Sequence, residues 1–201
     1  MNKLQYMAAA LLSLVLTGCV SFVPAGPIGL PAKAVENTLP IGAMVKDVQV
    51  SDPAIEDLQR RNISSQLTAQ IGAHIERGEY FQKMVVFPAK LGEKDVELAF
   101  NFTSLKGKRT PHPAYFPGAL LTLTIWIWVN GPVYVDTYDL AAELRVNDSH
   151  GKQLALSRKE FKRDINTGFW DRDYFNPSMG GAQMTDLVEA LLSDATQQLP
   201  R

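Results

Sequence analysis

The sequence predicts a two-layer α+β domain, a mostly antiparallel sheet with two amphipathic helices on one face. Three observations predict it. Apolar residues recur at three- and four-residue steps over 55–75 and again over 184–199, which marks two helices with one apolar stripe each. Between them, runs of β-branched, aromatic and alternating apolar residues mark strands. Turn residues separate those runs at short intervals, so neighbouring strands pair antiparallel, and two one-sided helices need such a sheet to cover.

In chain order, a first strand is expected over 44–50, with Met44, Lys46, Val48 and Val50 on one face. Ser51-Asp52-Pro53 offers a helix N-cap followed by proline at the first helical position. Ile55, Leu58, Ile63, Leu67, Ile71 and Ile75 then carry a helix that stops near Gly78. Met84-Val85-Val86-Phe87 reads as a short buried strand. Val96, Leu98, Phe100 and Phe102 alternate with Glu97, Ala99, Asn101 and Thr103, the pattern of a half-buried strand. Lys106-Gly107-Lys108-Arg109 reads as a basic loop, and Pro111, Pro113 and Pro117 keep the next segment irregular.

The segment 119–129 is apolar on both faces and rich in Thr, Ile, Val and Trp, which predicts a strand. Trp126 and Trp128 share one side of it. Their expected uses rank as core packing first, a partner-facing surface second and a membrane face third. The last needs an oligomer, because one hairpin cannot close a barrel. Asn130-Gly131 is the hairpin turn, and 133–146 returns with Leu140, Ala142, Leu144 and Val146 on one face. A turn at 148–151 leads to a polar strand over 152–165, whose Arg158, Lys159, Glu160, Lys162 and Arg163 suit an exposed edge. A loop of aromatics and acids follows over 168–181. The last helix carries Met184, Leu187, Val188, Leu191, Leu192, Ala195 and Leu199, and Pro200 ends it.

The composition narrows the function. With 20 Lys and Arg against 21 Asp and Glu there is no basic excess, so nucleic acid is not an expected partner. His74, His112 and His150 have no metal-ligand spacing, and no metal or cofactor is expected. Phosphate-loop, nucleophile-elbow and His-Glu-x-x-His patterns are all missing from the sequence, and the expectation is a non-enzymatic protein. Trp170-Asp171-Arg172-Asp173-Tyr174 is the one candidate for cation binding or acid–base work; an aromatic loop that packs on the sheet is the simpler reading.

The chain opens with Met1-Asn2-Lys3, an apolar run over 7–16 and then Leu16-Thr17-Gly18-Cys19. Residues 1–18 are thus expected to be a secretory signal peptide, too short to span permanently. Its last four residues resemble the lipobox of bacterial lipoproteins. The resemblance implies cleavage before Cys19, the single cysteine, and acylation of its thiol. It also implies an outer-membrane anchor with the body facing the periplasm, since Val20 stands where an aspartate would resemble a retention signal. Pro24, Gly26, Pro27, Gly29, Pro31 and Pro40 make 19–40 an expected extended tether, ahead of a single domain over 41–201. The element order, with Asp148-Ser149-His150-Gly151 between two strands, is similar to periplasmic lipoprotein domains of the curli secretion channel and the amino-terminal domain of the Tol–Pal translocation protein. The expected function is an anchored envelope lipoprotein that binds protein partners, or copies of itself, as an accessory subunit of a transport or surface-structure assembly. The alternative is a lipoprotein that holds a lipid or small apolar ligand; an envelope hydrolase ranks last.

Overall fold

The computed structural model of the protein describes residues 19–31, 34–86, 88–122, 125–175 and 180–199. The expected signal peptide, Phe87, Leu123, Thr124 and Pro200 lie outside them. Seven strands form one mixed sheet: β1 (Val20–Phe22), β2 (Leu39–Val45), β3 (Gln49–Val50), β4 (Phe81–Met84), β5 (Val96–Pro111), β6 (Pro132–Asp148) and β7 (Gln153–Gly168). The described helices are α1 (Asp57–Arg77), α2 (Tyr115–Leu121), α3 (Ile125–Trp128), α4 (Arg172–Phe175) and α5 (Gly181–Gln198). The fold is α+β, as the sequence predicts.

The strand order is β4-β2-β5-β6-β7, with β1 and β3 also paired to β5. The three long strands run antiparallel: Ser104 reaches Asp139 and Thr110 reaches Val135 across β5 and β6, and Asp148 meets Lys152 at the β6–β7 turn. β2 and β3 run parallel to β5, and β4 parallel to β2, because α1 crosses over between β3 and β4. The charged strand β7 does lie at an edge. At the 148–151 turn, Asp148 Oδ1 accepts from the amides of His150 and Lys152, and Gly151 takes the left-handed conformation that lets the chain reverse.

The chain divides into two compact units. The larger takes Val23–Lys106, Tyr138–Lys162 and Pro177–Arg201. Its core is the expected one: Leu67, Ile71 and Ile75 of α1, Leu98, Phe100 and Phe102 of β5, Leu140 and Leu144 of β6, and Leu187, Val188 and Leu191 of α5 are buried. Several expected boundaries move. The helix starts at Asp57 rather than Pro53, because the fully buried Asp52 carboxylate accepts from the Ala54 and Leu105 amides instead of capping a helix. The left-handed residue after α1 is Glu79, not Gly78. β4 ends at Met84, and Val86, expected to be buried, is exposed.

The stretch expected as a tether is built into the fold at both ends. Val20–Phe22 pairs antiparallel with β5, with Val20 opposite Arg109 and Phe22 opposite Gly107. Further on, Ile28 is buried, its amide donates to Gln70 Oε1 of α1, and the Gly29 amide donates to Thr185 Oγ1 of α5. The prolines remove backbone donors and the glycines weaken any regular element, but neither prevents single amides from finding side-chain acceptors.

Candidate functional site

The smaller unit comprises the described residues within Met1–Phe22, Gly107–Thr137 and Arg163–Asn176. Here the sequence reading is corrected. The 119–129 segment is not a strand: the chain forms α2 and α3, two short helices. Pro113 and Pro117 fit this change. Pro117 is the third residue of α2, inside the first turn, where a missing amide donor costs nothing. Thr122 then joins the helices: its hydroxyl donates to the Gly118 carbonyl and accepts from the Trp126 amide, as a residue ahead of a helix start does. Asn130, in the left-handed conformation, closes α3, and the Gly131 amide returns to the Trp126 carbonyl.

The two tryptophans part company. Trp126 is half-buried, with Gly118 on one side and Gly131 on the other; a Cβ at either glycine would come within 2.6 Å or less of its ring. Its Nε1 donates to the Pro132 carbonyl. Trp128 is 74% exposed and packs against Trp170, with ring centroids 6.1 Å apart. Trp170 is itself fixed from below: its Nε1 donates to the Ile127 carbonyl and its amide to Asn130 Oδ1. Phe169, Tyr174 and Phe175 complete the cluster in edge-on and tilted contacts at centroid separations of 4.5–5.5 Å. Among the described residues, Val20, Phe116, Leu120, Leu121, Ile125, Val129 and Phe175 join Trp128 and Trp170 as exposed large apolar side chains of this unit. Among those of the larger unit, the exposed ones are Leu30, Leu58, Val86 and Leu154, scattered along the chain.

Of the candidate acids, Asp171 holds this surface through its carboxylate, and Asp173 takes part through its backbone carbonyl. Asp171 accepts from Asn130 Nδ2 through one oxygen and from the Gly168 amide through the other. The Asp173 and Tyr174 carbonyls accept from Arg109. Arg109 is the hub. It is 9% exposed and makes a two-pronged pair with Asp136, both N–O distances 2.6 Å, while Asp136 also accepts from the Thr167 hydroxyl. The guanidinium lies over the Tyr134 ring, 5.0 Å from its centroid. Burial and the neighbouring Tyr134 hydroxyl push the Tyr174 phenol above its ordinary value. Nothing in the local sequence marks Arg109 as buried, since it stands in a basic run; only its alternation with exposed Lys106 and Lys108 carries the signal.

Cys19 is exposed and stands one residue ahead of β1. Because Val20 pairs with Arg109, the expected anchor residue adjoins the strand position that carries the hub. No described helix is long and apolar enough to cross a membrane.

The larger unit contains a cavity of about 700 Å³, lined by Glu36, Asn37, Thr38, Tyr80, Glu189 and Gln197 among others. Burial and the Glu189 carboxylate raise the Tyr80 phenol. The histidines are apart: His74 is buried on α1 with Nδ1 2.7 Å from the Gly29 carbonyl, His112 accepts from the Ala114 amide, and His150 lies in the β6–β7 turn.

No protein-family model matches the chain, and no curated protein matches it. Several solved structures are similar in chain course, three of them as follows. A Xanthomonas campestris protein of family DUF330 has a TM-score of 0.43 at 6% identity, covering 86% of this chain and 90% of its own. A neuraminyllactose-binding hemagglutinin homolog from Helicobacter pylori has 0.41 at 11% identity, covering 86% and 90%. Lipoprotein GNA1162 from Neisseria meningitidis has 0.39 at 12% identity, covering 77% and 99%. At such TM-scores these likenesses carry no functional argument.

Proposed function

We propose that the protein is a lipid-anchored, non-enzymatic lipoprotein of the bacterial cell envelope, held on the outer membrane through acylated Cys19. Its folded body faces the periplasm and binds protein partners as an accessory subunit of an envelope assembly. The observation that carries the reading is the position of Cys19: it ends a lipobox-like Leu16-Thr17-Gly18-Cys19, and the fold begins at the next residue.

Two measurements test the reading. Mass spectrometry of the mature amino terminus is expected to find acylated Cys19, and Cys19→Ser is expected to abolish acylation and membrane fractionation. Cross-linking in intact cells is expected to recover the protein joined to a second polypeptide. An unmodified thiol on a fully soluble chain overturns the anchor, and recovery of the monomer alone overturns the partner role.

A further inference from the structure

We infer that the apolar surface of the smaller unit, built from α2, α3 and the loop around Trp170, lies in the headgroup region of the bilayer to which Cys19 is attached. The inference rests on the anchor proposed above and deepens it: the lipid fixes the distance, and this surface fixes the orientation.

Three observations point to lipid as the occupant. First, Cys19 belongs to the same compact unit as the surface. A unit of its roughly 50 mature residues has a radius of gyration of about 10 Å. Acyl chains on Cys19 therefore bring every residue of the unit close to the membrane. Second, the exposed side chains are those that interfacial segments use. Trp128 and Trp170 present amphipathic indole rings, Trp170 with its Nε1 paired to the Ile127 carbonyl, while Phe116, Leu121 and Phe175 are wholly apolar. Third, the surface is rigid. Paired backbone and side-chain groups of Asn130, Asp171 and Trp170 hold α3 to the loop, so the exposed rings need no reordering to enter an interface.

Charge does not supply the attraction. Within the described part of the unit, Lys108, Arg109, Arg163 and Arg172 are balanced by Asp136, Asp164, Asp171 and Asp173. Contact is thus expected to rest on apolar area and to survive salt, unlike a polybasic patch on anionic lipid.

The protein carries its own probe, because its three tryptophans are Trp126, Trp128 and Trp170. Mature full-length protein is reconstituted into phosphatidylethanolamine–phosphatidylglycerol vesicles, with and without bromine on the acyl chains. Expected are a blue-shifted emission and a loss of intensity on the brominated vesicles, both retained at about 1 M salt. Leu121→Ser combined with Phe175→Ser keeps all three reporters and is expected to weaken both effects. Equal emission on the two vesicle types overturns the inference, as does an effect that high salt abolishes. An acylated chain that floats with the vesicles but is not quenched refutes the surface and leaves the anchor standing. A chain found unacylated, yet quenched when the same vesicles are added, refutes the anchor and supports the surface.

Discussion

Removing the Asp136 carboxylate is the sharpest perturbation of the smaller unit. Asp136 is 1% exposed and receives three charge-assisted or hydroxyl hydrogen bonds, two from Arg109 and one from Thr167. In Asp136→Ala the buried guanidinium loses the carboxylate it grips with two hydrogen bonds, and a broken buried pair costs about 3–5 kcal/mol. With a urea slope of about 2 kcal/mol/M for a chain of this length, the unfolding midpoint falls by about 1.5–2.5 M. The loss should be largest in tryptophan fluorescence, because Arg109 also holds the carbonyls of Asp173 and Tyr174, and all three tryptophans lie in this unit. Arg109→Met with Asp136→Leu removes both charges, and is expected to recover most of the midpoint. A single-variant shift corresponding to less than about 1 kcal/mol, the scale of an exposed pair, would refute the reasoning.

Local geometry gives two further predictions. Asp95 is buried and accepts from the Gly92 and Gly42 amides, with Lys83 3.2 Å away; the Gly92 bond above all holds its pKa below the usual carboxylate value, against the opposing effect of burial. Its contribution is present above about pH 3.9 and is lost as the pH falls through the lower folded value, so Asp95→Asn should be less stable at neutral pH and show a flatter stability profile in that acid window; parallel profiles for the two proteins contradict this. Gly131→Ala places a Cβ 2.4 Å from Trp126 Nε1, which should displace the ring, loosen α3 and shift the emission to the red, and an unchanged spectrum and melting temperature would count against the packing described.

What was legible in the sequence was periodicity against a single core. The stripes of α1 and α5 and the inward residues 140–146 of β6 each face one apolar layer, so spacing alone located them. Two stretches hid their structure for different reasons. In 119–129 nearly every residue is apolar, and a period-two pattern carries no information when both phases fit it; the decisive signals were Pro117, Thr122 and two flanking glycines, which act locally. In β5 the buried positions are even-numbered from Val96 to Phe102 and odd-numbered from Leu105 to Arg109. That change of phase, where the Leu105 amide turns to the Asp52 carboxylate, ended the recognisable strand and left 106–109 looking like a loop. The surface proposed to meet the bilayer combines both blind spots. Of the residues named for it, the sequence singled out Trp128 as a candidate partner or membrane face and Trp170 only within an acidic aromatic cluster; Trp126, paired with Trp128 in that reading, is half-buried.

The junction of Cys19 with β1 has a mechanical consequence. A flexible leash absorbs a pull by straightening, about 3.3–3.6 Å for each residue it contains. Between Cys19 and the paired Val20 there is no leash to straighten. If Cys19 is acylated as proposed, a force applied there would load the hydrogen bonds of Val20–Phe22 to β5 at once. Once those pairs part, Arg109 loses its neighbour strand while still gripping Asp136 and the 173–174 backbone. The first structure to feel traction on Cys19 is thus the unit that carries the exposed aromatic rings.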